Sequence, residues 1–148
     1  MGLTCSERNE ELAARFLDRF LPDREDVADE YPFPELSDSP ERTFSDAASL
    51  IRHLESKRDH GYALYWDRKN SGDPQQAMLV FTEDGGMIAG VASTNPEPQR
   101  LLRDVADVVD GKFGLVVLEE RPPDTLEEFV AMCKGAEGIR LVDGQICS

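Results

Sequence analysis

Apolar residues recur at helical spacing in four stretches of the chain. Leu12, Ala13, Phe16, Leu17 and Phe20 mark one buried face. They predict a helix over about 7–21, with Ser6 as N-cap and Pro22 as the stop. Ala47, Leu50, Ile51 and Leu54 predict a second over 46–57, capped by Thr43 or Ser45. Leu101, Leu102, Val105, Val108 and Val109 predict a third over 97–109, with Gly111 just past its end. Leu126, Phe129, Val130 and Cys133 predict a fourth, opened by Asp124 or Thr125 and closed by Gly135. Between these lie short alternating or wholly apolar runs that read as strands: Tyr62 to Asp67, Ala77 to Thr82, Met87 to Ser93, Phe113 to Glu119 and Ile139 to Val142. Asn70 to Pro74 is a turn cluster, and Glu83-Asp84-Gly85-Gly86 is a strong hairpin signal. Asp143-Gly144 turns the chain once more before Ile146.

The fold class that follows is α+β. An antiparallel meander over 62–93, joined by 113–119 and a short C-terminal strand, packs with about four helices. No internal repeat and no domain-sized linker interrupts the 148 residues, so 1–148 reads as one domain. Met87, Ala89 and Val91 alternate with Ile88, Gly90 and Ala92, so the central strands are apolar on both faces. Helices cover one face. The other needs the first helix, the 22–41 segment or a partner as its cover.

The 22–41 segment changes character. It holds four prolines and eight acids against one base, a local charge of −7 within a chain whose net charge is −14. Tyr31-Pro32-Phe33-Pro34 should run extended, because each proline restricts the residue before it. The segment reads as an ordered acidic arm pinned by two aromatics. Either these pack on the protein's own sheet, or they anchor a partner that Asp26, Asp29 and Glu30 attract.

Charge narrows the function classes. Thirty acids against sixteen bases repel nucleic-acid phosphate and anionic lipid, which argues against nucleic-acid and membrane partners. No apolar run approaches the ~20 residues that span a bilayer, and the opening residues 1–11 are too polar for a signal peptide. Cys5, Cys133 and Cys147 are an odd, sparse set without CxxC spacing. They form no disulfide framework and, with only His53 and His60 to join them, no zinc site. Cys133 belongs on a buried helix face, whereas Cys5 and Cys147 lie near the ends and read as the more exposed pair. A cytoplasmic setting is the simplest, and no cofactor or metal is expected.

Candidate chemistry is sparse. Asp67, Glu83, Asp84, Glu119 and Glu120 fall at strand ends, where paired carboxylates hold Mg²⁺ or do acid–base work. In so acidic a chain such a coincidence is expected by chance, and solvated turns and strand ends are the better account of them. That leaves a small carboxylate- or metal-dependent hydrolase as the alternative reading. No residue is assigned as catalytic. His53 and His60 have no Ser or Cys partner that spacing identifies, and no phosphate-cradling or nucleophile-elbow motif is present. Asp104, Asp107 and Asp110 rise along the outer face of the third helix. If Trp66 enters the core, Tyr65 and Asp67 face outward together, an aromatic beside an acid.

The runs from Tyr62 to Asp67 and from Gln76 to Gly90 resemble small acidic bacterial proteins of the immunity type. The resemblance covers the strand–hairpin–strand core and carries no residue-level motif. It implies a non-enzymatic protein that neutralises a toxin by binding it. The functional expectation is therefore a module that binds a basic protein, such as a nuclease toxin, with a regulatory or structural subunit as a further alternative. The candidate partner-binding residues are Asp26, Asp29, Glu30, Tyr31, Phe33, Tyr65, Asp67, Asp104, Asp107 and Asp110.

Overall fold

The computed structural model describes residues 1–94, 96–118 and 121–148. In chain order the elements are β1 (Gly2–Glu7), α1 (Glu10–Phe20), β2 (Arg24–Asp26), β3 (Tyr31–Phe33), β4 (Arg42–Phe44) and α2 (Ala47–Ser56). Then follow β5 (Tyr62–Arg68), β6 (Gln76–Phe81), β7 (Gly86–Ala92), α3 (Pro98–Val109), β8 (Gly114–Val116), α4 (Leu126–Gly135), β9 (Arg140–Val142) and β10 (Gln145–Cys147). Eight strands form one antiparallel sheet in the order β10-β9-β8-β1-β7-β6-β5-β2, and β3 pairs with β4 in a separate hairpin. The α+β class and the meander are as expected. Phe81 faces Met87 across the β6–β7 turn, where Gly85 sits at φ +87°, a conformation glycine adopts without strain.

The start of the chain departs from the sequence reading. Residues 2–7 are the strand β1, wedged between β7 and β8, and not the approach to a helix. Asn9, not Ser6, caps α1: its side chain accepts the Leu12 N–H at 3.0 Å. The helix pattern from Leu12 to Phe20 was sound, but its N-terminal edge could slide. Polar residues precede it on every side, and the strand nature of Gly2–Glu7 comes from backbone bonds to two distant neighbours.

The sheet buries both faces. On one, Leu64, Trp66, Leu79, Met87, Ala89 and Val91 pack against α1, α2 and α3. On the other, Leu3, Cys5, Met78, Ile88 and Leu115 pack against Phe129 and Cys133 of α4. The second cover is thus α4. Its N-terminus is set by Thr125, which accepts the Glu128 N–H, and by Asp84 of the β6–β7 turn, which accepts the Leu126 and Glu127 N–H groups. Gly86 lets the Leu126 side chain pack directly on β7, since a Cβ there would stand 2.0 Å from a Leu126 methyl carbon and would force that side chain to move.

Cys5 lies within this second core, contrary to the expectation of exposure. Burial pushes its thiol up to about 11 and that of Cys133 up to about 12, so both stay protonated and enclosed at neutral pH. Cys147 is half-exposed on the edge strand β10. A thiol reagent added to native protein at pH 8 should therefore modify Cys147 first, with Cys5 and Cys133 reacting only on unfolding. Peptide mapping that found early label on Cys5 would contradict the placement of β1.

Candidate interaction site

The side chain that organises this end of the molecule is Arg8, in the link between β1 and α1. It is 3% exposed. Its guanidinium donates to Gly86 O at 3.4 Å, Leu54 O at 3.0 Å, Lys57 O at 2.6 Å and His60 O at 2.9 Å, and also to Thr82 O. Its ring-facing contact is Phe81, 5.3 Å from the guanidinium carbon. No carboxylate pairs with it among the described residues. The carbonyls at the end of α2, the negative end of that helix, stand in for one. Burial pulls its pKa down to about 10, which still leaves it cationic at pH 7. One buried cation thus ties the β1–α1 link, the end of α2, the 57–60 turn and the β6–β7 turn, and so positions the start of β5. No sequence pattern marks Arg8.

β5 then presents two faces. Tyr62, Leu64 and Trp66 enter the core, so Tyr65 and Asp67 do face outward together. β2 pairs only with Trp66, Asp67 and Arg68. Beyond that point the arm swings away from the β5 edge and returns as the β3–β4 hairpin. Arg68 holds the departing end, donating to Asp23 Oδ1 at 3.0 Å, Phe20 O at 2.9 Å and Pro74 O at 2.8 Å. Tyr62 holds the returning end, donating its hydroxyl to Pro32 O at 2.8 Å.

The arm's aromatics face inward. Tyr31 and Phe33 are buried, and Phe33 lies between His53 and His60, ring centroids 4.7 and 4.8 Å away. Both histidines thus serve to seat the hairpin on α2 and the 57–60 turn. Burial pushes the His53 pKa down, helped by Arg42 and Lys57. The Tyr31 hydroxyl is enclosed with no completed hydrogen bond among the described residues. Asp26 is exposed but committed to the fold: it accepts the Trp66 indole N–H at 3.0 Å and the Ala47 N–H at 3.2 Å. Asp29 and Glu30 are exposed.

What the arm leaves uncovered is a groove along the β5 edge. A depression of about 260 Å³ is lined by Val27, Pro32, Leu36 and Tyr65, with Glu30 and Glu35 its acids. It continues past Tyr65 and Val80 to Arg121 and Asp124 through a second depression of about 190 Å³. Four large apolar side chains of the described residues are exposed: Val27 at 50%, Leu36 at 90%, Tyr65 at 39% and Leu118 at 91%. The first three line this one groove. Leu36 also holds φ at +59°, the left-handed region that leucine avoids. An exposed leucine in a strained backbone contributes nothing to the core that would offset its cost.

The other candidates lie apart. Asp107 approaches Arg103 at 4.0 Å, Asp110 ends α3 in the left-handed conformation, and neither they nor Asp104 line the groove. Asp67 accepts from Gln76 at 3.1 Å on the same strand pair as Tyr65. Glu119 and Glu120 lie outside the described residues. Among the described residues no three His, Cys, Asp or Glu side chains gather as a metal site, and Asp84 is engaged with the α4 N-terminus. No helix of the described residues is long and apolar enough to cross a membrane. The sequence missed Val27, Glu35 and Leu36. The one available signal was Leu36, the lone aliphatic Leu, Ile or Val of the proline-rich acidic residues 29–41. No protein-family model, curated protein or solved structure matches the chain.

Proposed function

We propose that this chain is a non-enzymatic binding module that captures a basic protein through the groove along β5, as an immunity-type inhibitor of a basic toxin does. The observation that carries the reading is the convergence of Val27, Leu36 and Tyr65 on one groove. Exposed apolar anchors inside a polar rim are what a protein interface core needs. Net charge supplies the choice of partner. With −14 on the chain and −7 in the arm that forms one wall, a basic surface is drawn in and a second copy of this chain is repelled. A nuclease toxin, which must offer a basic groove to phosphate, is the kind of partner that such a surface fits.

The test begins with capture of the partner from source cells by tagged protein, and continues with the purified pair. The partner should carry net positive charge. Association should slow by roughly tenfold or more between low and near-molar salt, with dissociation little changed. A partner of neutral or negative charge, or an association rate indifferent to salt, would overturn the reading.

A further inference from the structure

The groove holds one charge that the fold does not need. Glu35 lines both depressions and so stands where they meet. Its Oε2 accepts the Ala63 N–H at 2.6 Å, at a point on the β5 edge that β2 does not reach. Its Oε1 has no protein donor among the described residues. A glutamine oxygen would accept the same N–H. Holding a carboxylate there instead costs stability, because the group is half-buried. Burial pushes the Glu35 carboxyl up, and the Ala63 N–H and Arg121 only partly oppose that. The fold uses an oxygen at this position and leaves the charge over.

The surroundings say what the charge fits. Leu36, Val27 and the Tyr65 ring offer apolar surface for an alkyl stem, and the depression along the β5 edge is lined by Glu30 and Glu35 without any base. Arg121, the base of the adjoining depression, is exposed and acts on Glu35 through its charge, with no ion pair joining the two among the described residues. We infer that Glu35 is the seat for one lysine or arginine side chain of the partner. The stem lies against Leu36 and Tyr65, and the cationic head donates to Oε1. This inference rests on the basic-partner reading and adds to it the residue that reads the cation.

A blocked hexapeptide of alternating valine and arginine serves as the probe, with a valine–norleucine peptide as its uncharged counterpart. Amide shifts of ¹⁵N-labelled full-length protein are followed at low salt. The arginine peptide should give saturable shifts at Leu36, Ala63 and Tyr65, and the norleucine peptide should not. Glu35→Gln should weaken binding at least about fivefold, as loss of a charge-assisted hydrogen bond does. Its melting temperature should be equal to or above that of the parent. Glu25→Gln makes the same charge change on β2, outside the groove, and should weaken binding far less. Equal losses in the two variants would mean that only net charge matters. The seat would then fail while the basic-partner reading stood. Shifts at these amides on raising the concentration of free protein would give the groove to a second copy and overturn the inference. No shift at any amide would overturn both.

Discussion

Replacing Arg8 by methionine should lower the stability of this protein more than any other single change at a charged residue. The substitution keeps an unbranched apolar stem but removes the guanidinium donor from five carbonyls, Leu54, Lys57, His60, Thr82 and Gly86, leaving backbone N–H donors on Leu54, Lys57, Thr82 and Gly86. A hydrogen bond from a charged donor contributes about 1.5–3 kcal/mol, and these bonds share one guanidinium, so their losses do not simply add. Several of the carbonyls lie at the end of α2 and in the β6–β7 turn, where water cannot enter without opening the core. A loss of roughly 4 kcal/mol or more is expected, against a total of about 5–15 kcal/mol for an ordinary domain. For a chain of this size that is a fall of about 10–15 °C in melting temperature. Arg8→Lys keeps the charge, but its donors all sit on one atom and cannot reach three separate segments. It should recover about half the loss. Urea and thermal unfolding of both variants measure this directly. A shift under about 3 °C for Arg8→Met would show that the four segments hold together without it.

The second large effect should appear at Leu36, with opposite signs in stability and binding. Its φ of +59° costs about 1–2 kcal/mol for a residue with a Cβ and almost nothing for glycine. At 90% exposure its side chain contributes little packing in return. Leu36→Gly should therefore raise the melting temperature by about 2–4 °C. In the complex, the same leucine would be buried against the partner, where removing it forfeits about 1.5–3 kcal/mol. Affinity should fall about ten- to a hundredfold, mostly through faster dissociation. Calorimetry of the free variant and surface kinetics of the pair measure the two halves separately. A lowered melting temperature would make Leu36 a structural residue. An unchanged affinity would move the interface elsewhere, with the Asp104 to Asp110 row the next surface to test.

These two residues show where sequence reasoning was strong and where it stopped. The helices α2, α3 and α4 and the β5–β6–β7 meander were legible, because each rests on a local period of apolar residues, whereas which face of β5 turns inward was left open, since Tyr62, Leu64 and Trp66 alternate with Ala63 and Tyr65. The turn glycines confirmed the register. The arm's extended course was legible from its prolines, and its acidity from simple counting. The two readings left open for its aromatics were decided only by the fold, which folds Tyr31 and Phe33 against His53, His60 and the core.

Long-range bonds settled the remainder. β1 has no strong period of its own, and becomes a central strand because β7 and β8 satisfy its backbone on both sides. That placement buries Cys5 and carries Arg8 to its five carbonyls. Arg8 and Glu35 look like ordinary surface charges in a chain where nearly a third of residues are charged. Whether a charged side chain meets water, a ring of carbonyls or an apolar groove depends on which distant segments fold around it. The acidic character on which the proposed basic partner depends is thus written in composition, which is additive along the chain. The groove that would hold that partner exists only in three dimensions, because Val27, Leu36 and Tyr65 meet only once β2 has left the β5 edge.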